Sequence, residues 1–191
     1  MKTVALFVLS LLLSGCAFSP QSARIRPIAS VAESSVGKGV VVAVRVVDER
    51  PDQAIGKRGA GGVGADIVPA NQIEVAVQEL LVASLKKRGF SVVDSNVSAQ
   101  AKLGVEVRFL QYSVSQGLWS GGINIKVAIK ATASNGGQIY EQLYRNDKEE
   151  RVQFIPAAQT NENWINESLS KCIQDLLDDT ALTEALAGKQ G

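Results

Sequence analysis

An α+β fold is predicted: a two-layer sandwich whose mostly antiparallel sheet carries two main amphipathic helices on one face, in the order β-α-β-β-β-β-α-α. Three observations predict it. Residues 101–153 fall into three long stretches in which apolar and polar residues alternate, as strands with one wet face do. Residues 71–88 and 161–178 instead place apolar residues at helical spacing, so each has a single stripe to bury. A β-branched run at 39–47 and a shorter one at 90–94 supply further strands. One sheet face receiving both helical stripes is the simplest way to cover this apolar surface.

The chain opens with Met-Lys, an apolar run over residues 4–13, and then Leu13-Ser14-Gly15-Cys16. The run falls well short of the roughly 20 residues a spanning helix needs. With its basic start and small residues at the cleavage point, it reads as a secretory signal over residues 1–15. Leu-Ser-Gly-Cys resembles the lipobox of bacterial lipoproteins. That resemblance implies diacylation of the Cys16 thiol, cleavage before it and acylation of the new amino terminus. Ala17 stands where Asp would retain such a protein at the inner membrane, which implies the periplasmic face of the outer membrane. An ordinary signal peptide or a short anchor is the competing reading.

Residues 16–38, rich in Ser, Ala and Pro, are expected to be the lipidated cysteine and a flexible tether, with Ile25 and Ile28 able to pair with a sheet edge. Residues 39–191 then form a single periplasmic domain. The first strand ends in the charged turn Asp48-Glu49-Arg50-Pro51-Asp52. A long glycine-bearing loop over 53–69 leads to the first helix. Asn71 and Glu74 offer a capping box there, and Ile73, Val77, Leu80, Leu81, Ser84 and Leu85 form its inner face. In the next long strand Leu103, Val105, Val107 and Phe109 point inward, with Leu110, Tyr112 and Val114 on the second face. Ile123, Ile125, Val127, Ile129 and Ala131 line the strand after it, and Asn135-Gly136 signals a hairpin. Ile165, Leu169, Cys172, Ile173 and Leu176 make the stripe of the second helix, and Asp178-Asp179-Thr180 caps a short terminal one.

Composition narrows the function. The 20 Lys and Arg against 19 Asp and Glu leave no basic excess for nucleic acid or for a polybasic membrane patch. The chain has no histidine, so the commonest general base and zinc ligand are missing. With Cys16 acylated, Cys172 has no partner for an intramolecular disulfide and is expected to be buried. Gly59-Ala-Gly-Gly-Val-Gly64 matches G-x-G-x-x-G by letter. It follows no strand end directly and Pro69 precedes the helix, so no dinucleotide and no other cofactor is expected. Asp175, Asp178 and Asp179 lack the spacing of a calcium loop, and no metal site is expected.

Several segments together carry a resemblance. They are Val46-Val47-Asp48-Glu49-Arg50-Pro51-Asp52-Gln53-Ala54, Leu85-Lys86-Lys87-Arg88-Gly89-Phe90, Tyr112-Ser113-Val114-Ser115-Gln116-Gly117, Lys130-Ala131-Thr132-Ala133-Ser134-Asn135-Gly136 and Asp178-Asp179-Thr180. Their order resembles that of the YajG-family lipoproteins of Gram-negative bacteria, over most of the mature chain. The glycine loop is longer here, and Trp119 adds a bulky tip within 117–122. The resemblance implies an envelope location and an α+β build, and no reaction.

Candidate binding residues are few. Asp48 and Asp52 could form an acid–base pair with Arg50 holding an anion, but a turn in which Arg50 bridges the acids is favoured. Trp119, between glycines, either contacts a partner or membrane or folds back over the sheet edge. Lys126 and Lys130, with Lys102, Arg108 and Glu106, occupy the wet sheet face and could take an anionic glycan or headgroup. The expectation is a non-enzymatic, lipid-anchored envelope protein with a protein or glycan partner. The alternative is an auxiliary subunit of a lipid-transport system, which would need an apolar groove between helices and sheet.

Overall fold

The structure, a computed structural model, describes residues 20–59, 64–95, 97–116 and 121–188. Its strands are β1 (Gln21–Ala23), β2 (Val41–Asp48), β3 (Gly56–Lys57), β4 (Asp66–Pro69), β5 (Ser91–Asp94), β6 (Ala101–Gln116), β7 (Gly121–Asn135) and β8 (Gln138–Val152). Its helices are α1 (Ile73–Lys87), between β4 and β5, then α2 (Ala158–Asp178) and α3 (Thr180–Ala187) after β8. The fold is α+β, with the strands in one mixed, curled sheet. The described order is β-β-β-β-α-β-β-β-β-α-α, so the expected order lacked β1, β3 and β4. These strands of two to four residues are too short for an alternation to be visible.

β6 is the hub. Along one edge it pairs antiparallel with β7 from Ala101↔Asn135 to Gln116↔Gly121. Along the other it pairs parallel with β2 from Ala101 to Val107, and then with β3 at Tyr112. The meander β6-β7-β8 is antiparallel as expected, whereas β2–β5, β2–β6, β3–β6 and β1–β4 are parallel. β3 can take its place only because Gly56 has no side chain. A Cβ there would lie 1.9 Å from the Tyr112 carbonyl oxygen. At the other end of the meander the two-residue Gly136-Gly137 turn has positive φ at both positions, as a type I′ hairpin requires.

The register of β6 shifts between Val107 and Phe109. This bulge reverses the pleat, so Leu110 and Tyr112 are buried on the same side as Leu103, Val105 and Val107. The expected assignment of Phe109 to the inner face is therefore overturned: it is 36% exposed and points outward. The same bulge overturns the placing of Leu110, Tyr112 and Val114 on the second face.

The inner face of the sheet and the helical stripes close into one core. In α1, Ile73, Val77, Leu81, Ser84 and Leu85 are buried, and in α2 so are Ile165, Leu169, Cys172, Ile173 and Leu176. The expected capping box is absent. Gln72 occupies the N-cap without a side-chain bond, and the Asn71 amide instead accepts the Ile25 N–H (2.8 Å) and donates to the Ile25 carbonyl (3.1 Å). The chain running past Asn71 competes for its side chain and takes both of its hydrogen-bonding groups.

That passing chain is the segment expected to be a tether. From Gln21 it is packed, not loose. β1 pairs with β4, and Ala23 and Ile25 are fully buried. The backbone N–H groups of Arg24, Arg26, Ile28 and Ser30 then donate to Glu162, Asn166, Ser170 and Gln174 on α2, at 2.6–2.9 Å. The spacings match. Four helical residues rise about 6 Å and two extended residues about 6.6 Å, so alternate amides of the strap meet successive turns of the helix. Beyond it, Ser34 and Gly37 donate to the carbonyls of Lys87 and Arg88 and close the C-terminus of α1.

Candidate functional site

At the end of β2, Arg50 folds back on Asp48. Its Nε donates to Oδ1 (2.9 Å) and Oδ2 (3.2 Å), and its Nη2 to Oδ2 (3.0 Å). The Arg50 side chain is 3% exposed and that of Asp48 17%, so the pair is largely out of water. Both carboxylate oxygens are spent on the guanidinium, which leaves Asp48 poorly placed to move protons. Arg50 Nη1 is buried without a hydrogen-bond partner among the described residues. Asp52 is exposed on the rim of an adjoining cavity of about 340 Å³, lined also by Arg50, Lys57, Asp66 and Phe109. The structure thus places Asp48, Arg50 and Asp52 at one locus, with the first two as a clamp.

The outward sheet face brings Lys126 and Lys130 together. With Arg108 and Arg145 they surround a groove of about 540 Å³ whose floor includes Phe109 and Leu143. Arg108 is held by Glu106 and by Glu49 (3.4 Å), and Lys130 by Glu141 (2.9 Å). The hydrogen bond that Arg108 donates to Glu106 raises the Arg108 pKa, and the one that Lys130 donates to Glu141 lowers the Glu141 pKa. Lys126 and Arg145 have no ion-pair partner within 4.0 Å among the described residues; Asp147 is their acidic neighbour in the groove. Phe109 lines this groove and the Arg50 cavity alike, so the two loci are neighbours. Sequence alternation hid Phe109 and Arg145. A bulge reverses the pleat without changing the residue types, and Arg145 lies on a strand polar on both faces.

The cap on α3 was expected, but the tyrosines it binds and a second polar network escaped the sequence. Asp179 caps α3 through the Ala181 and Leu182 amides (2.9 and 3.1 Å) while its other oxygen accepts the hydroxyls of Tyr140 (2.8 Å) and Tyr144 (2.6 Å). The three aspartates do not converge on one point. Asp175 faces Lys171, and Asp178 faces Gln174 and Arg88. In the second network the Tyr112 hydroxyl donates to Asn161 (2.9 Å), Asn161 donates to Gln21 (3.0 Å), and Gln21 donates to the Ala158 carbonyl (2.7 Å). Burial pushes the Tyr112 phenol up to about 12, so it stays a donor, and it pushes the Cys172 thiol up to about 12 as well. Cys16 and Trp119 lie outside the described residues. No described helix is long and apolar enough to cross a membrane.

Known proteins share this build. A family model described as "Uncharacterized lipoprotein" matches residues 27–187. The uncharacterized lipoprotein YajG of Escherichia coli is 28% identical over 184 residues, covering 95% of this chain and 92% of the relative. Among solved structures, protein XCC0632 from Xanthomonas campestris superposes with a TM-score of 0.61. It covers 86% of this chain and 95% of its own at 11% identity, a likeness of fold. With the family model spanning nearly the whole described domain, the chain belongs to the YajG family of uncharacterised lipoproteins.

Proposed function

We propose that the protein is a non-enzymatic lipoprotein of the cell envelope, anchored through acyl chains on Cys16 to the periplasmic face of the outer membrane. In this reading it presents its outward sheet face to a protein or glycan partner. The observation that carries the reading is the groove around Lys126 and Lys130. Four cationic side chains ring a partly apolar floor on a face that no described helix covers. Such a surface suits an anionic or mixed polar–apolar partner. The Arg50 cavity, joined to it by Phe109, extends the same surface toward Asp52.

A photo-crosslinking residue at Ala128 in intact cells tests the surface. Charge reversal by Lys126→Glu with Lys130→Glu is expected to abolish the captured species while lowering stability by no more than about 2 kcal/mol, since Lys126 is exposed and Lys130 is half-buried and loses its pair with Glu141. Capture that survives both reversals would place the partner elsewhere, with Trp119→Ala as the next test. The anchor is tested separately. Cys16→Ala is expected to move the protein wholly from the membrane to the soluble envelope fraction, since two or three chains make a stable anchor and none makes no anchor.

The lipid-transport alternative is less well supported. It needs an apolar groove between helices and sheet, whereas Ile125, Ile129, Ile165, Leu169, Ile173 and Leu176 are fully buried there.

A further inference from the structure

The start of the described chain and the beginning of α2 lie at one end of the molecule. Gln21 is bonded to the Ala158 carbonyl in the first turn of α2, and its strand partner Ile67 follows the β3–β4 connection. Arg58, in that connection, donates to the Pro156 carbonyl at 3.4 Å. Phe154 and Ile155 stand beside these contacts. They are 84% and 60% exposed, two large apolar side chains in succession at the end of β8. Nothing in the core of the domain uses them.

Chain length decides what can cover them. Only Ala17–Pro20 separates Cys16 from Gln21, a reach of at most about 18 Å even when fully extended. Gln21 itself cannot swing outward, because β1 and the strap along α2 hold it. A bilayer holding acyl chains on Cys16 therefore lies within one short span of Phe154 and Ile155. We propose that these two residues insert into the headgroup boundary of that bilayer, so the domain rests on the membrane by this end. The proposal rests on the reading of Cys16 as the acylated residue. The anchor makes the contact intramolecular, so a weakly inserting pair is enough to fix orientation. The Gly136-Gly137 hairpin, at the far end of the fifteen-residue β8, then stands up to about 50 Å from the bilayer.

The full-length acylated protein, reconstituted in vesicles of phosphatidylethanolamine and phosphatidylglycerol, tests this. An environment-sensitive thiol label is placed at Ile155→Cys or, as the far-end control, at Ile139→Cys. Ile139 is 74% exposed, and the native Cys172 is fully buried and silent. Nitroxide lipids labelled near the headgroup are expected to quench the label at 155 and to leave the label at 139 bright. Adding Phe154→Asp to the first variant is expected to remove most of that quenching while the protein stays vesicle-bound. Equal quenching at the two positions, or none at 155, in protein shown by mass to be acylated would overturn the docking and leave the anchor standing. A mass without acyl chains would overturn the Cys16 reading and the docking with it.

Discussion

Asp179→Ala is expected to destabilise the domain by about 4 kcal/mol, read as a lower urea midpoint with an unchanged slope. Two losses add. Removing an N-cap carboxylate costs about 1 kcal/mol, and each of two tyrosine hydroxyls loses a charged acceptor, worth about 1.5 kcal/mol at the low end for partly exposed groups. The tyrosines sit on β8 and the cap opens α3, so one carboxylate ties the last helix to the sheet. Set against a total stability of about 5–15 kcal/mol, this is a large share. Asp179→Asn keeps an acceptor and is expected to recover part of the loss. An alanine variant as stable as the parent would mean that the network contributes nothing.

The same network carries a pH signature. Burial alone would raise the Asp179 pKa, but the hydroxyls of Tyr144 and Tyr140 and the amides of Leu182 and Ala181 outweigh it and hold it below the usual range. A carboxyl depressed in the folded state gives stability that is present above its unfolded pKa, about 3.9, and lost as pH falls through the lower folded value. Asp179→Asn is therefore expected to flatten the acid limb of the stability curve below about pH 4. The tyrosines act at the other extreme. Burial first, and then the Asp179 contact, raises both their pKa values, so their contribution is present below about pH 10 and falls as pH rises beyond it.

Arg50→Ala is expected to cost a further large amount, about 3 kcal/mol, because it strands the Asp48 carboxylate, 17% exposed, without its counter-charge. The double variant Asp48→Asn with Arg50→Met removes both charges and is expected to be less destabilised than Arg50→Ala alone. Asp52→Ala, on the exposed rim, is expected to change stability by less than about 0.5 kcal/mol. This contrast separates a structural clamp from a reactive cluster. If Arg50→Ala leaves the midpoint unchanged, the Asp48–Arg50 pair is not holding the end of β2.

Much of the fold was legible because long elements repeat their pattern. The α2 stripe, the alternation of β7 and the hairpin after it, whose turn falls one residue later than expected, at Gly136-Gly137, each carry several concordant signals over neighbouring residues. The candidate site was legible only as scattered charges. Lys126 and Lys130 share a face by period two, and Asp48 and Arg50 are close in sequence. That Phe109 joins the two groups depends on one extra residue in β6, and an added residue has no composition of its own.

The strap over residues 24–30 shows the limit most clearly. Its partners Glu162, Asn166, Ser170 and Gln174 are visible in the sequence as a polar stripe beside the apolar one, yet they read equally well as solvated surface. The sequence by itself determined the long strands and helices and the α3 cap, each encoded by residues within a few turns of one another, and the family, carried by segments spread along the chain. Only the tertiary structure decided where β1, β3 and β4 pair, which way Phe109 faces and that the supposed tether is packed. The packing of the strap depends on hydrogen bonds between groups up to 144 positions apart, and the free energy of such contacts exists only once the chain has closed.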